Sequence, residues 1–356
     1  MKKKRYSLVL LVFLYISNAL AEENKTFLSF DANYKGDIVS NTMGGMKQGV
    51  TYLGYALMCV QMKTEDVRWW NGGTFYAKGA NTHGGEPSST LVGDLHVVDN
   101  IEAGNHTFMQ EFWFNQSFAD RFDFTIGLQD LNADFAVSDE TGIFVHSCLG
   151  INSLMAGNVS VPIFPLMGLG VEAGWNITDR WRIQAGAFDG LVTDFEENPY
   201  NVEWKLSEKE GLLTVAELHY RCGEKGTCKL GGYYHTQMKK YGFYLLGEKR
   251  INHFGVFGQV AWTPKNENET YMQMDAGFKF HNLFTDGKED ALGLAAVCNL
   301  LNSHREYEAF IEMTYRFPVL QQLWLQPDLQ YVINPAGVQG EVDNALVAMV
   351  RVELEF

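Results

Sequence analysis

The sequence predicts an all-β protein, a transmembrane antiparallel β-barrel of about sixteen strands with long extracellular loops and short periplasmic turns. Three observations favour this fold. The chain ends in an amphipathic strand that stops on an aromatic residue, short segments with period-two alternation recur along the sequence, and long connections alternate with short ones.

The first residues have the features of a secretory signal peptide, which we predict over residues 1–21. Lys2–Arg5 form a basic start, Leu8–Ile16 form an apolar stretch, and an Ala-x-Ala cleavage site ends at Ala21. Without its charged start, this segment is too short to span a bilayer. We therefore predict export through the periplasm and a single outer-membrane barrel domain over residues 22–356.

The chain is acidic, and this excludes some classes of partner. Its formal net charge is −15, and removing the four cations of the signal peptide lowers the charge to −19. An acidic exported chain is a poor candidate for binding nucleic acid or anionic lipid, because phosphate groups repel it. No later apolar stretch approaches the ~18 residues of a transmembrane helix, so any membrane crossing must use strands.

From residue 26 onward, segments of about ten residues alternate between apolar and polar side chains and are separated by clusters of turn residues. Their number is even, as in bacterial single-chain barrels. The predicted strands cover residues 26–34, 48–61, 67–80, 105–118, 121–133, 166–177, 180–190, 210–221, 228–238, 241–249, 252–263, 270–281, 290–300, 306–317, 321–332 and 344–356.

Connection lengths give an independent argument for a barrel. The connections after even-numbered strands are mostly short, whereas several connections after odd-numbered strands are long. A membrane barrel with both termini in the periplasm has short turns on that side and long loops outside, and a soluble sandwich does not require this segregation. The long connections are predicted at residues 35–47, 81–104, 134–165 and 191–209.

The longest connection, residues 134–165, is the predicted constriction loop. A sixteen-stranded barrel leaves an aqueous lumen that its wall side chains do not fill, so a segment folded inward would narrow it. The acidic groups of this loop are expected to face basic groups of the wall, and the alternative is an outward surface loop. The candidate residues of the constriction are Asp134, Asp139, Glu140 and His146.

The last thirteen residues, 344–356, alternate strictly between two faces. The face that includes Leu346 and Phe356 is apolar and is expected to contact lipid. The other face becomes charged at Arg351 and Glu353 and is expected to contact water. Phe356 is predicted to lie at the periplasmic interface and to serve as the assembly signal that barrel-assembly machinery recognises. On this segment alone, an edge strand of a soluble sandwich is the alternative.

The chain has five cysteines, and an odd number cannot all pair in a complete disulfide framework. Cys222 and Cys228 flank a Gly-containing turn between two predicted strands, so a disulfide between them is a candidate in the oxidising envelope. We predict no metal site, because no Cys or His pair has the spacing of a metal site. The sequence also lacks the common hydrolase, zinc-protease and P-loop motifs, so we expect neither an enzyme nor a cofactor.

Several motifs resemble those of the carbohydrate-selective porin family, OprB. The main one is the segment Gln326–Gly337 (QPDLQYVINPAG), preceded by Glu306–Tyr315 (EYEAFIEMTY). Shorter similarities run in order from about residue 90, among them Gly127–Asp130 and Pro162–Gly168. The resemblance implies an outer-membrane barrel of sixteen strands through which saccharides diffuse passively. A general or ion-selective porin remains the alternative within this fold, and an outer-membrane hydrolase or an adhesin is the alternative of another class.

Porins are commonly trimeric, so a homotrimer is a candidate assembly, although no feature of this sequence determines the oligomeric state. Sugars offer hydroxyls to charged and amide groups and a C–H face to aromatic rings, and we select lumen candidates on that basis. For each Trp the alternative role is interface anchoring, and for each Arg it is a salt bridge within the wall. The candidate pore-lining residues are Arg68, Trp70, Glu111, Trp113, Arg180, Arg182, Trp324, Gln326 and Asp328.

Overall fold

A computed structural model describes residues 27–119, 121–265, 269–284, 289–302 and 305–356. Sixteen strands form one closed antiparallel sheet in which each strand pairs with its neighbours in sequence and β1 pairs with β16. The fold prediction is confirmed. The predicted signal peptide, residues 1–21, lies outside the described residues. In the described part of the chain, no helix is long and apolar enough to cross a membrane.

The strands vary from eight to eighteen residues in length. Their bounds are β1 (Leu28–Gly45), β2 (Gly49–Lys63), β3 (Gly73–Gly84), β4 (His106–Phe118), β5 (Phe122–Gln129), β6 (Gly168–Asn176), β7 (Trp181–Asp189), β8 (Leu212–Arg221), β9 (Gly226–His235), β10 (Lys240–Ile251), β11 (Phe254–Trp262), β12 (Thr270–His281), β13 (Ala291–Leu301), β14 (Tyr307–Leu320), β15 (Leu323–Ile333) and β16 (Asp343–Glu355).

The last strand shows why the alternation predicts this barrel. Along β16, Val347, Met349 and Arg351 are buried, whereas the side chains between them are partly or fully exposed. Odd-numbered residues therefore face the interior, as the sequence predicts. Phe356 continues the pairing, since its N–H and carbonyl exchange hydrogen bonds with Ala32 at 2.9 and 3.2 Å. Its ring is exposed, which suits an interface between lipid and water.

Two of the predicted strand boundaries differ from the structure by more than four residues. The first strand continues to Gly45, so the long loop predicted at residues 35–47 is replaced by a short turn at 46–48. Residues 36–45 pair with β2 on one side and β16 on the other, and this long-range pairing overrides the loop-like composition of the segment. The third strand begins only at Gly73, because residues 64–72 form a turn.

A β-bulge in β4 changes the facing of its first half. The register pairs Lys78 with Glu111 and Gly79 with Met109, which leaves Gln110 as an extra residue. Phe108 therefore points inward and is only 4% exposed. Strict period-two alternation through this strand would place Phe108 on the outer face with Phe112, Phe114 and Phe118, and the bulge is the reason that it does not.

Two loops enter the barrel and contribute a large share of its core. The β3–β4 loop (residues 85–105) and the β5–β6 loop (residues 130–167) contribute apolar side chains to clusters with inward-facing wall residues. One such contact joins Val145 to the cluster that contains Val347. The β5–β6 loop includes a short helix, α1 (Ser153–Asn158), whose first turn is capped by the Asn152 side chain. The interior is therefore packed with protein over much of its wall.

Candidate permeation channel

Wall carboxylates hold the β5–β6 loop inside the barrel. Glu312 on β14 accepts hydrogen bonds from the backbone N–H groups of Val145 and His146 at 2.6 and 3.2 Å. Glu217 on β8 accepts one from Ala136 N–H at 2.6 Å. Carboxyl oxygens of both wall acids accept backbone N–H groups of the loop. The loop is thus anchored on opposite sides of the barrel interior by the acids of the wall.

The expected arrangement, in which loop acids face basic wall groups, is present at only part of the loop. Glu140 accepts a hydrogen bond from His281 Nε2 on β12 at 2.7 Å. At Asp139 the backbone carbonyl, not the carboxylate, accepts from Lys279 Nζ. Asp134 is exposed, and its carbonyl accepts from Gln184 Nε2 at 2.7 Å. The acids that fix the loop are mainly those of the wall.

His146 packs inside the core and does not line a water-filled space. Its ring is 1% exposed and stacks on Phe310 with 3.4 Å between the ring centroids. Its Nδ1 accepts a hydrogen bond from Cys148 N–H at 3.3 Å. Burial lowers the pKa of His146 well below its usual value, so the imidazole is neutral at physiological pH. This corrects the expectation that His146 belongs to the constriction surface.

The β3–β4 loop folds into the barrel, whereas the sequence predicts a long extracellular connection at residues 81–104. Arg351 on β16, which was expected to face water, is 4% exposed and donates to Asp37 at 2.7 Å. The same guanidinium donates to Asp99 and Asn100 of this loop at 3.0 and 2.9 Å. Glu308 likewise accepts from Leu95 N–H at 2.9 Å. The sequence does give one indication of this inward fold, because residues 85–105 contain more apolar side chains than an exposed loop needs.

The two loops leave part of the inward face of β3–β7 uncovered. Most of their hydrogen bonds to the wall reach β8–β10, β12, β14–β16 and β1, and Gln184 on β7 donates one to the Asp134 carbonyl. On β2, the ring of Tyr55 packs against Phe164 of the β5–β6 loop. Partly exposed polar and aromatic side chains remain on the uncovered wall. They are Tyr76, Lys78, Trp113, Asn115, Asp123, Glu172 and Arg182.

Tyr76 on β3 and Trp113 on β4 form an aromatic platform on this open wall. Their rings stack with 4.7 Å between centroids and 19° between planes. Trp113 Nε1 donates to Glu111 at 2.9 Å, and Lys78 Nζ donates to the other oxygen of Glu111, also at 2.9 Å. The structure therefore places an apolar ring surface directly beside a fixed ion pair. Of the predicted pore-lining residues, Glu111 and Trp113 come together here.

Arg182 forms a salt bridge within the same wall. Its guanidinium donates to both oxygens of Asp123 at 2.8 and 2.9 Å, which is a bidentate pair between β7 and β5. Asp130, at the start of the β5–β6 loop, is close to this wall. Burial, together with the charge of Glu111, raises the pKa of Asp130 to about 7. The channel wall thus combines paired charges with a carboxyl group that titrates near neutral pH.

Three predicted wall residues lie outside the lumen. Arg68 and Trp70 belong to the turn at residues 64–72, and Arg180 belongs to the turn between β6 and β7. Trp70 donates to Gln116 at 2.7 Å and packs edge-on against Phe114, both of which point outward. Trp70 therefore has the alternative role of an interface anchor, since aromatic rings concentrate where lipid meets water.

The three candidates on β15 face inward as predicted, but they are buried. Gln326 Nε2 donates to the Ile143 carbonyl at 2.6 Å and so fixes the β5–β6 loop. The guanidinium of Arg316 lies 3.7 Å from the ring centroid of Trp324. Asp328 accepts from Gln330 at 3.2 Å and is 5% exposed. Gln326 therefore supports the loop, Trp324 and Asp328 contact other wall residues, and none of the three lines the open wall.

Comparisons with known proteins agree with this architecture. The model of the family described as carbohydrate-selective porin, OprB family, matches residues 47–244 and 239–356. Porin B of Pseudomonas aeruginosa is 22% identical over 408 residues, covering 92% of this chain and 87% of that protein. The high-pH structure of Pseudomonas putida OprB superposes with a TM-score of 0.81 at 18% identity, covering 92% of this chain and 94% of the other.

The low-pH structure of the same Pseudomonas putida protein superposes with a TM-score of 0.62 at 17% identity, covering 92% of both chains. These structural similarities support the fold. The family match extends over most of the chain, and it begins at residue 47, before the motifs that we identified from about residue 90 onward. The chain belongs to the carbohydrate-selective porin family, OprB.

Proposed function

We propose that this protein forms an outer-membrane channel through which small neutral saccharides diffuse along the uncovered wall of β3–β7. The observation that carries the proposal is the aromatic platform of Tyr76 and Trp113 beside the Lys78–Glu111 ion pair. A ring face binds the C–H surface of a sugar, and the adjacent charges exchange hydrogen bonds with its hydroxyls.

The β5–β6 loop supports this proposal by narrowing the route. Most of its hydrogen bonds to the wall lie away from the platform on β3 and β4, so a permeating sugar passes between the loop and the platform. We propose that residues 134–165 act as the constriction, with exposed Asp134 at its surface. Deleting about ten residues from this loop should raise single-channel conductance, and unchanged conductance would refute its role.

Liposome swelling with the purified protein tests the choice of solute. We expect a monosaccharide to enter faster than an amino acid of equal size, and Trp113→Ala should reduce this difference. Trp181→Ala is the matched control, because Trp181 is an exposed outward residue at the periplasmic end of β7. Equal entry of both solutes into wild-type liposomes would favour a general porin.

The proposal includes the route of the protein to the membrane. We infer that residues 1–21 direct export and that barrel-assembly machinery recognises the strand that ends at Phe356. Support comes from the composition of the first segment and from the exposed terminal ring beside the β1–β16 seam. A homotrimer is one candidate assembly.

A further inference from the structure

Glu172 on β6 projects from a bare part of the uncovered wall. The inward positions on either side of it along the strand are Gly170 and Gly174, which carry no side chain. In the register of the sheet, Glu172 lies beside Thr125 of β5, one inward position below the row that contains Trp113. Its carboxyl group therefore extends into the space next to the aromatic platform.

The β5–β6 loop brings a second acid to Glu172. The carboxyl groups of Asp134 and Glu172 share a hydrogen bond, and we call these two residues the acid pair. Gln184 of β7 holds the loop in this position, since it donates to the Asp134 carbonyl at 2.7 Å. Two carboxyl groups this close hold one proton between them, because ionising both would place two like charges side by side. The acid pair therefore keeps about one negative charge near neutral pH.

The two cations of the uncovered wall, Lys78 and Arg182, each have an acid of their own. Arg182 donates to both oxygens of Asp123 at 2.8 and 2.9 Å. A Cβ on Gly174 would lie 2.0 Å from Arg182 Nη2, so this glycine leaves the room that the salt bridge occupies. Lys78 donates to Glu111 at 2.9 Å. Because both cations are neutralised in this way, the negative charge of the acid pair remains in excess on this wall.

The extracellular approach to this wall is acidic as well. The β7–β8 loop, residues 190–211, contains six acidic residues and two lysines. Asn201 of this loop donates to the Met109 carbonyl on β4 and to the Met167 carbonyl next to β6, both at 3.2 Å. These bonds fix the loop near the extracellular ends of β4 and β6. A solute that enters along the uncovered wall therefore passes this acidic loop before it reaches the acid pair.

We propose that the passage discriminates among sugars by charge, with Glu172 and Asp134 as the residues that disfavour acidic sugars and favour neutral sugars and amino sugars. Acidic side chains that line a narrow pore attract cations and repel anions, and the low dielectric of the wall strengthens this effect. The inference rests on the proposed sugar route along β3–β7 and adds the charge class of the solute.

Uptake into proteoliposomes tests the proposal with three labelled sugars: glucosamine, glucose and glucuronate. They are added at tracer concentration, so that their own charge sets up no membrane potential, in about 0.01 M salt, where the Debye length is about 30 Å. We expect the rates to fall in that order. The step between neighbours should be about five-fold, which is the factor for unit charges ~4 Å apart in water. At about 1 M salt the Debye length is about 3 Å, and the steps should shrink.

A double variant assigns the effect to the acid pair. Glu172→Gln combined with Asp134→Asn removes the charge and keeps the size of both side chains. We expect glucuronate uptake to rise about five-fold and the advantage of glucosamine to fall, whereas glucose uptake and heat-modifiable mobility stay at wild-type values. Glu224→Gln is the matched control, because Glu224 is exposed in the periplasmic turn after β8. It should keep the wild-type order of the three rates.

The outcomes separate this inference from the sugar route itself. Equal rates for the three sugars in wild type, or an unchanged order in a folded double variant, would overturn the charge discrimination. If the double variant does not fold, the salt dependence of wild type decides, because an order that persists at about 1 M salt is not electrostatic. None of these results refutes the sugar route, which fails only if glucose enters no faster than an amino acid of equal size.

Discussion

Removing one wall carboxylate tests whether the β5–β6 loop is held by charge. Glu312 is fully buried, and its two oxygens accept N–H groups from Val145 and His146. Glu312→Gln keeps the size of the side chain, but its amide nitrogen would meet one of these N–H groups donor to donor. We therefore expect one hydrogen bond to be lost and the other to become a neutral one.

The expected magnitude follows from these two bonds. A hydrogen bond to a charged group contributes about 1.5–3 kcal/mol, and a neutral one about 0.5–1.5 kcal/mol. The substitution should weaken the attachment of this part of the loop by about 2–4 kcal/mol. Since each 1.4 kcal/mol is tenfold in an equilibrium constant, the detached population should rise between about thirty-fold and a thousand-fold.

Single-channel recording in planar bilayers measures this population directly. We expect Glu312→Gln to show added transitions to a higher-conductance level and a larger mean conductance. The control is Glu203→Gln, because the Glu203 side chain is 69% exposed and contacts only Lys205 among charged groups. If the mean conductance and the transitions of Glu312→Gln equal those of wild type, charge on this wall residue does not hold the loop.

Four further predictions concern the seam, a loop, the cysteines and the terminus. Arg351→Met leaves two buried carboxylates unpaired, so the barrel should lose about 3–5 kcal/mol, measured as a lower temperature of heat modification; an unchanged temperature would contradict the role of this ion pair. Burial raises the pKa of Glu102 from 4.5 to about 7, so the folded state binds its proton more tightly, and the β3–β4 loop should lose stability as pH rises from 4.5 to 7. Hydrogen exchange corrected for intrinsic rates should show this loss and lack it in Glu102→Gln. The thiols of Cys222 and Cys228 are free in the structure but face the same way at one turn, so mass spectrometry of envelope protein without reductant should find them joined; alkylation of both would argue against the disulfide. Phe356→Asp should reduce the amount of heat-modifiable barrel in outer-membrane fractions, and wild-type amounts would exclude a role in assembly.

The number of strands and their facing were predictable from the sequence because their signal is local. A strand with lipid on one side and a protein or water interior on the other must alternate with period two, and this constraint acts on each residue separately. Sixteen strands were predicted, and the described residues form sixteen. The facing of β16, from Val347 to Glu353, also follows from alternation alone.

Long-range pairing is invisible to alternation, and it accounts for the boundary errors. Residues 36–45 belong to β1 only because β2 and β16 lie on either side of them. Phe108 faces inward only because a bulge shifts the register by one residue. Both features depend on partners that are distant in sequence, so composition alone does not predict them.

Alternation also leaves the content of the lumen undetermined. Whether an inward side chain meets water or a loop depends on where each loop folds, and those contacts join residues far apart in the chain. Arg351 bonds to Asp37 and Asp99, and Gln326 bonds to the carbonyl of Ile143. By itself the sequence determined a membrane barrel and the face of most side chains. Only the tertiary structure decided which part of the wall remains open for a solute, because buried polar groups must find partners and the loops supply them over much of the barrel interior.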